Sequence, residues 1–169
     1  MEARPDISVV VPVYNEASNL DELCGRVAAV LEQAGRPFEI VAVDDGSHDG
    51  SVALLEELQR KDARLRIVKL MRNFGQTPAM YAGFAHVRGR LVFSIDSDLQ
   101  NPPEELAKLL AKLDEGYDVV QGWRENRQDT VLRRYASKAM NAPRLSRPLI
   151  TCSPPKSSTA TTPSCHICP

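Results

Sequence analysis

Leu91-Val92-Phe93-Ser94-Ile95 runs directly into Asp96-Ser97-Asp98-Leu99-Gln100-Asn101 and then into Pro102-Pro103-Glu104-Glu105. The apolar run has the length and bounds of a buried strand. Proline and glutamate belong in the first turn of a helix, where proline forfeits no hydrogen bond and negative charge meets the positive end of the dipole. Between them stand acids at a strand's carboxyl end. Asn101 is the expected N-cap of the helix that follows, so capping alone leaves Asp96 and Asp98 without a purpose. Side chains two apart in extended chain point the same way, and Asp96, Asp98 and Gln100 are therefore expected to converge. Three oxygen donors suit a hard cation such as Mg²⁺ or Mn²⁺, with positions left for water and a diphosphate. The competing reading is an Asp-rich turn.

Outward from this stretch the same strand–turn–helix unit recurs. Ile7 to Val11 is a β-branched run ending at Pro12 and reads as a buried parallel strand. From Asn19, an expected N-cap, the apolar positions Leu20, Leu23, Val27, Val30 and Leu31 recur at helical spacing until Gly35-Arg36-Pro37 stops them. Phe38 to Val43 is a second strand. A helix from about Ser51 to Asp62, capped by Asp49, carries Val52, Leu55 and Leu58 on one face. Leu65 to Leu70 is a third strand and Thr77 to Val87 a third helix, with Pro78 early in it. Tyr117 to Gln121 reads as a fifth strand, and Thr130 to Met140 as a helix carrying Arg133, Arg134 and Lys138. Strands alternating with helices predict an α/β fold, a mostly parallel Rossmann-like sheet with helices on both faces.

In such sheets ligands sit beyond the carboxyl ends of the strands, and that is where the polar clusters fall. Tyr14-Asn15-Glu16 follows the first strand, Asp44-Asp45-Gly46-Ser47 the second, and Asp96-Ser97-Asp98 the fourth. The Asp44–Ser47 cluster has two readings: a plain Asp/Gly turn, or a carboxylate placed to accept the imide N–H of a uracil base. Pro12 to Glu16 would flank that base, with Tyr14 offering an aromatic face and Glu16 an acceptor.

The 169 residues balance 21 basic against 22 acidic side chains, which gives no basic surface for nucleic acid. No apolar run approaches the roughly 20 residues that span a bilayer. The N-terminus, with Glu2 and Asp6 before a strand-like run, lacks the pattern of a signal peptide, so the chain is expected in the cytoplasm. Cys24, alone within a helical pattern, reads as a buried, reduced thiol. Composition changes sharply at Asn141. Ala142 to Pro169 holds no acid and no glycine, yet 6 of the 12 prolines and 3 of the 4 cysteines. Such a Pro/Ser/Thr-rich segment has no periodic apolar face and is expected to be disordered, so the domain is expected to span residues 1–141 with a tail over 142–169. Cys165-His166-Ile167-Cys168 is half a zinc site at most, since such sites need four ligands.

Val10-Val11-Pro12-Val13-Tyr14-Asn15-Glu16, Val43-Asp44-Asp45-Gly46-Ser47, Arg72-Asn73-Phe74-Gly75-Gln76 and Asp96-Ser97-Asp98-Leu99-Gln100-Asn101-Pro102-Pro103-Glu104 together resemble the family 2 glycosyltransferases of GT-A fold. Within that family the pattern is most similar to the polyprenyl-phosphate glycosyltransferases. The resemblance covers roughly Ile7 to Asn141, and four motifs in order make it specific. It implies an inverting transfer of a sugar from a nucleoside diphosphate sugar (UDP or GDP) to an acceptor such as a polyprenyl phosphate, at the inner face of a membrane. It implies that Pro12, Tyr14, Glu16 and Asp45 line a nucleoside pocket and that Asp96, Asp98 and Gln100 hold a metal and the diphosphate, with Asp96 and Asp98 as the catalytic acids. Gly122-Trp123-Arg124 with Arg127 resembles the family's basic segment, for which the readings are contact with acceptor phosphate or diphosphate, or ordinary surface arginines. A phosphate acceptor is already ionised at pH 7, so the lack of an evident base fits that acceptor.

After Asn141 the motif pattern stops, and the composition of 142–169 resembles an out-of-frame translation, so the family's acceptor-binding part is expected to be cut short. That leaves a non-catalytic, nucleotide-binding remnant as the alternative. A phosphatase of the haloacid-dehalogenase type also uses Asp-x-Asp, but after its first strand; here the pair follows the fourth. Dinucleotide dehydrogenases need Gly-x-Gly-x-x-Gly, which is absent. Deleting Ala142 to Pro169 removes no periodic apolar face. The melting temperature should hardly change, and proteolysis should trim the chain to a core ending near Asn141. A large drop in melting temperature would show that the segment packs.

Overall fold

The structure, a computed structural model, describes residues 4–122. Its elements follow the order β1 (Ile7–Val13), α1 (Ala17–Gln33), β2 (Phe38–Asp44), α2 (Ser51–Lys61), β3 (Leu65–Lys69), α3 (Gln76–His86), β4 (Leu91–Ser94) and α4 (Glu105–Asp114). The chain divides into two units between Lys108 and Leu109, a division that α4 crosses. All four strands lie in the first unit; the described residues of the second are 109–122.

The strands form one parallel sheet in the order β3-β2-β1-β4. β-Branched residues dominate β1 and β2, and every residue of both strands is buried, the pattern of parallel strands covered on both faces. Val10, Val41 and Val43 pack with Ala79 of α3, and Val68, Leu70, Met80, Ala82 and Val87 close around them. Pleating turns Val9, Val11, Val13, Ile40 and Ala42 to the opposite face, where they are equally inaccessible. There α1 and α2 pack against each other and α2 rests on β2 and β3. The apolar stripe expected for α1 is the buried one, Leu20, Leu23, Val27 and Leu31. Helices therefore cover both faces, as the alternation of the sequence predicts.

β1 continues two residues beyond its expected end and carries Pro12 within it. Register explains the tolerance. β1 pairs with β2 along its whole length but with β4 only from Ile7 to Val10. The carbonyl of Val10 accepts from Ile95 on the β4 side and that of Val13 from Asp45 on the β2 side. Pro12, on the same side as Val10, falls where β4 no longer pairs, so its missing N–H breaks no ladder bond.

At the opposite ends of the strands, Glu39 is buried in a closed polar network. It accepts hydrogen bonds from Ser8 Oγ (2.7 Å), Arg66 Nη1 (3.0 Å) and the Arg88 backbone N–H (2.7 Å). Burial alone would raise its pKa, but the Ser8, Arg66 and Arg88 donors outweigh burial and hold the carboxyl below the usual carboxylate range. Cys24 is half-buried rather than fully buried; desolvation, with Asp21 and Asp62 nearby, pushes its thiol up to about 11 and keeps it protonated.

Several expected termini differ. Asn19 does not cap α1, which begins at Ala17; instead its Nδ2 donates to Glu16 Oε2 (2.6 Å). The open N–H of Ala17 goes to Asp49 Oδ2 (3.0 Å), while Asp49 Oδ1 also takes the N–H (3.0 Å) and hydroxyl (2.6 Å) of Ser51 at the head of α2. One carboxylate thus serves two helix starts. α4 starts at Glu105, after turns in which the carbonyls of Pro102 and Pro103 accept from the N–H groups of Glu105 and Leu106, rather than directly after Asn101. The stretch 117–121 is not a strand: it lies outside the four-stranded sheet, and Val119 is 57% exposed. A strand exists only where a neighbour takes its backbone groups, and the apolar pattern of five residues cannot supply one. The expected helix over 130–140, the tail over 142–169, Cys152, Cys165 and Cys168 lie outside the described residues. Among the described residues no helix is long and apolar enough to cross a membrane.

Two glycines offer a test of the α3 contact. Gly83 lies against β1 and β2, where an added Cβ would overlap Val10 Cγ1 and stand 3.1 Å from Val43 Cγ2. Gly25 of α1 has nothing within 4 Å of that position. Gly25→Ala should stabilise by about 0.5–1 kcal/mol, the ordinary helix gain. Gly83→Ala should destabilise by about 1–3 kcal/mol through overpacking despite the same gain. Equal effects in urea melts would show that α3 does not seat on the sheet as described.

Candidate functional site

The strand order sets the location. After β1 the chain builds β2 and β3 on one side and then crosses to place β4 on the other, so the strand order reverses at β1. This is a topological switch point, where parallel α/β sheets leave a crevice at the strand ends. A cavity of about 330 Å³ lies there, lined by residues from four strand ends: Pro12, Val13, Tyr14 and Glu16 after β1, Asp45 after β2, Asn73, Gly75, Gln76 and Ala79 after β3, and Asp96, Ser97 and Asp98 after β4.

The loops are pinned to one another by backbone hydrogen bonds to side chains. Asn15 adopts a left-handed φ of 55° and ties the β1 loop to the β2 turn: its N–H donates to Ser47 Oγ (3.0 Å), and its Oδ1 accepts from His48 N–H (2.9 Å). Glu16 N–H donates to Ser51 Oγ (3.1 Å). Asp44, 2% exposed, turns its carboxylate onto the N–H groups of Gly46 and Ser47. Asp45, 3% exposed, reaches across to the loop after β3, where Oδ1 accepts from Phe74 N–H and Oδ2 from Gly75 N–H, both at 2.8 Å. That places a carboxylate at the head of α3, whose dipole favours it. Gly46, at φ 72°, lets the loop after β3 come close: a Cβ there would stand 2.6 Å from the Arg72 carbonyl carbon and 2.7 Å from the Asn73 nitrogen. Aspartate followed by glycine is thus a turn and a docking surface at once.

The structure brings Pro12, Tyr14, Glu16, Asp45, Asp96 and Asp98 together around one cavity. Tyr14 is 44% exposed, with its ring open to solvent at the cavity. Asp45 carries two backbone N–H groups already, so a base could use only the second lone pair of each oxygen. Gln100 does not join the cavity. The alternation that would align it with Asp96 and Asp98 holds only in extended chain, whereas Leu99 takes a left-handed φ of 55°. Asp98 Oδ1 then accepts the Gln100 N–H (3.0 Å), and the Gln100 side chain is exposed. Arg124 and Arg127 lie outside the described residues.

Gln76 ends one of the four motifs of the sequence and carries no role in the sequence reading. Its Nε2 donates to Asp96 Oδ1 (2.9 Å). The signal lies in its place: Arg72–Gln76 also follows a strand's carboxyl end, but it holds no acid to mark a ligand role.

Asp96 and Asp98 suit a small hard cation held by one or two carboxylates together with phosphate oxygens and water, a common arrangement for Mg²⁺. Among the described residues no group of three or more His, Cys, Asp or Glu is placed to enclose a metal by itself. The donor set fits a cation that arrives with, or is completed by, an anionic ligand.

A parallel α/β domain with an acid-lined crevice at its switch point is the class that fold and site define. The chain belongs to glycosyl transferase family 2, whose model matches residues 8–168, running on past Asn141 where the motif resemblance stops. It is 49% identical over 142 residues to the undecaprenyl-phosphate 4-deoxy-4-formamido-L-arabinose transferase of Enterobacter sp. (strain 638), covering 83% of this chain and 43% of that protein. The chain thus spans less than half the length of the curated relatives it matches. Among solved structures, S. aureus TarS 1-349 in complex with UDP is similar at a TM-score of 0.56 and 27% identity, covering 74% of this chain and 38% of that one. Mannosyl-3-phosphoglycerate synthase from Rubrobacter xylanophilus shares the GT-A fold at a TM-score of 0.64 and 21% identity, over 82% and 47% of the two chains. Family membership sets aside the phosphatase alternative.

Asp45 as a strut gives a direct expectation. Asparagine would present an N–H₂ to one of the two backbone donors and leave that N–H unsatisfied. Asp45→Asn should cost about 1–3 kcal/mol and should speed hydrogen exchange at Phe74 and Gly75 specifically. Unchanged protection at those two amides would remove Asp45 from this role.

Proposed function

We propose that this chain is the nucleotide-sugar-binding part of an inverting glycosyltransferase that takes a sugar from a UDP- or GDP-sugar and passes it to a polyprenyl phosphate. The observation that carries the reading is the switch-point cavity, where Tyr14, Glu16 and Asp45 meet Asp96 and Asp98. Two further facts support it: a relative at 49% identity is named for transfer involving undecaprenyl phosphate, and a structure at 27% identity holds UDP.

In this reading the base lies against Tyr14 with Glu16 and Asp45 at its polar edge, and the diphosphate points toward the β4 acids. Asp96 and Asp98 would hold Mg²⁺ or Mn²⁺, which supplies positive charge against the leaving diphosphate. The loops that carry these groups are cross-linked before any ligand arrives, so little ordering is required on binding. The acceptor phosphate is ionised at neutral pH and attacks the face of the sugar opposite the diphosphate, inverting the anomeric centre without a protein base. Arg124 and Arg127 are the proposed contacts for acceptor phosphate or diphosphate. The place of action is the cytoplasmic face of a membrane, where the chain is peripheral. The alternative is a non-catalytic remnant that binds the nucleotide without turnover.

Titration calorimetry with UDP and GDP in Mn²⁺ tests the binding half. Asp98→Asn should keep the fold and lose affinity on the order of 10-fold or more, since even partners one step removed from a metal cost that much. Unchanged affinity would remove the metal assignment. Transfer of radiolabelled sugar into a lipid fraction tests turnover. This chain should transfer more slowly than a full-length relative, because orienting the acceptor supplies several kcal/mol of rate enhancement, on the order of half the barrier reduction that positioning can give. Equal rates would show that these residues suffice.

A further inference from the structure

Gln76 is the first residue of α3, exposed, and not required by the core. Nor is it the cap of α3, a position that Gly75 holds with no side-chain cap bond. What its side chain does is donate from Nε2 to Asp96 Oδ1 at 2.9 Å, across a sequence separation of 20 residues. The orientation of the amide follows from chemistry, since an ionised carboxylate only accepts and the nitrogen must face it.

A neutral donor at this place has a specific consequence. It holds Asp96 Oδ1 without itself bringing a positive charge to the carboxylate. Lysine or arginine would hold the same oxygen but would neutralise the charge and compete with a metal for it. Gln76 is itself held in place. Gly75 takes a φ of 96°, open to glycine without strain, and its N–H is locked on Asp45 Oδ2; Gly46 lets the Arg72–Asn73 backbone lie directly on the β2 turn. The path from β2 to β4 is continuous: Asp45 to the Phe74–Gly75 backbone, Gly75 to Gln76, Gln76 to Asp96.

We propose that Gln76 is a positioning residue for cation uptake, holding Asp96 turned for Mg²⁺ or Mn²⁺, with Asp45 setting Gln76 through the loop. The inference rests on the nucleotide-and-metal reading above and adds to it a residue that touches neither the base nor the reacting atoms.

The experiment is titration calorimetry of UDP into the full 169-residue chain, once in Mn²⁺ and once in EDTA, for the wild type, Gln76→Ala, Gln76→Lys and Asp98→Asn. The ratio of the two affinities reads metal dependence separately from base recognition. Gln76→Ala should lose on the order of 10-fold of the Mn²⁺-dependent gain, the size expected when a partner of a metal ligand is removed, with affinity in EDTA within about twofold of wild type. Gln76→Lys should abolish the Mn²⁺ dependence and tighten UDP binding in EDTA, because the ammonium supplies charge beside Asp96. A merely structural role would lower both affinities together. A wild-type gain that Asp98→Asn loses and Gln76→Ala keeps in full overturns the role of Gln76 alone. A wild type without any Mn²⁺-dependent gain overturns the metal reading and this inference with it.

Discussion

β1 is held by β2 along seven residues and by β4 along only four, and the rest of the first unit follows from that inequality. Flanked on both sides, β1 must be apolar on both faces, which its run of valines satisfies. Where β4 stops pairing, β1 runs on paired with β2 only, and the chain can carry Pro12 there without losing a ladder bond. The gap between the two strands beyond Val10 opens the crevice, and the segments on either side of it, Pro12 to Glu16 and Asp96 to Asp98, become its walls. Site and sheet are consequences of one register.

The acids around the crevice divide into two kinds of work. Asp44, Asp45 and Asp49 spend their oxygens on backbone N–H groups of loops and helix starts. Ser51 and Ala17 donors hold Asp49 below the usual carboxylate range, with the Ser51 hydroxyl contributing most. Asp96 and Asp98 instead stand on the cavity wall, where they accept from Gln76, 20 residues away, and from the Gln100 backbone. Among the described residues no buried side-chain nitrogen or oxygen lacks a partner, so the polar loops stay closed in the absence of ligand. Asp44 and Asp49 brace this site from behind, and Asp45 braces the loop after β3 while lining the cavity itself.

Local rules went astray where the decisive partner lay far along the chain. Asn19 and Asn101 each satisfy the capping pattern, yet α1 draws its cap from Asp49, 32 residues on, and α4 begins only after two prolines have turned the chain. Period-two alternation put Gln100 beside Asp96 and Asp98; a single left-handed residue, Leu99, cancelled it. Residues 117–121 have strand-like composition and no neighbour in the sheet to make them a strand. The turn motif marked Asp45 as a site residue but did not say that its carboxylate would also face the Phe74 and Gly75 amides.

What the amino-acid sequence determined by itself was the alternation of buried strands with amphipathic helices, the parallel sheet that this implies, and the placing of Tyr14, Glu16, Asp45, Asp96 and Asp98 at strand ends. Those are properties of apolar period and of chain direction, both written locally. Only the tertiary structure decided the strand order, and with it that the β1 and β4 ends share a crevice. It alone turned Asp45 onto the Phe74 and Gly75 amides and brought Gln76 to Asp96. The physical reason is range: hydrophobic periodicity is read within one helix or strand, whereas a hydrogen bond between loops exists only once the sheet has set those loops a few ångströms apart.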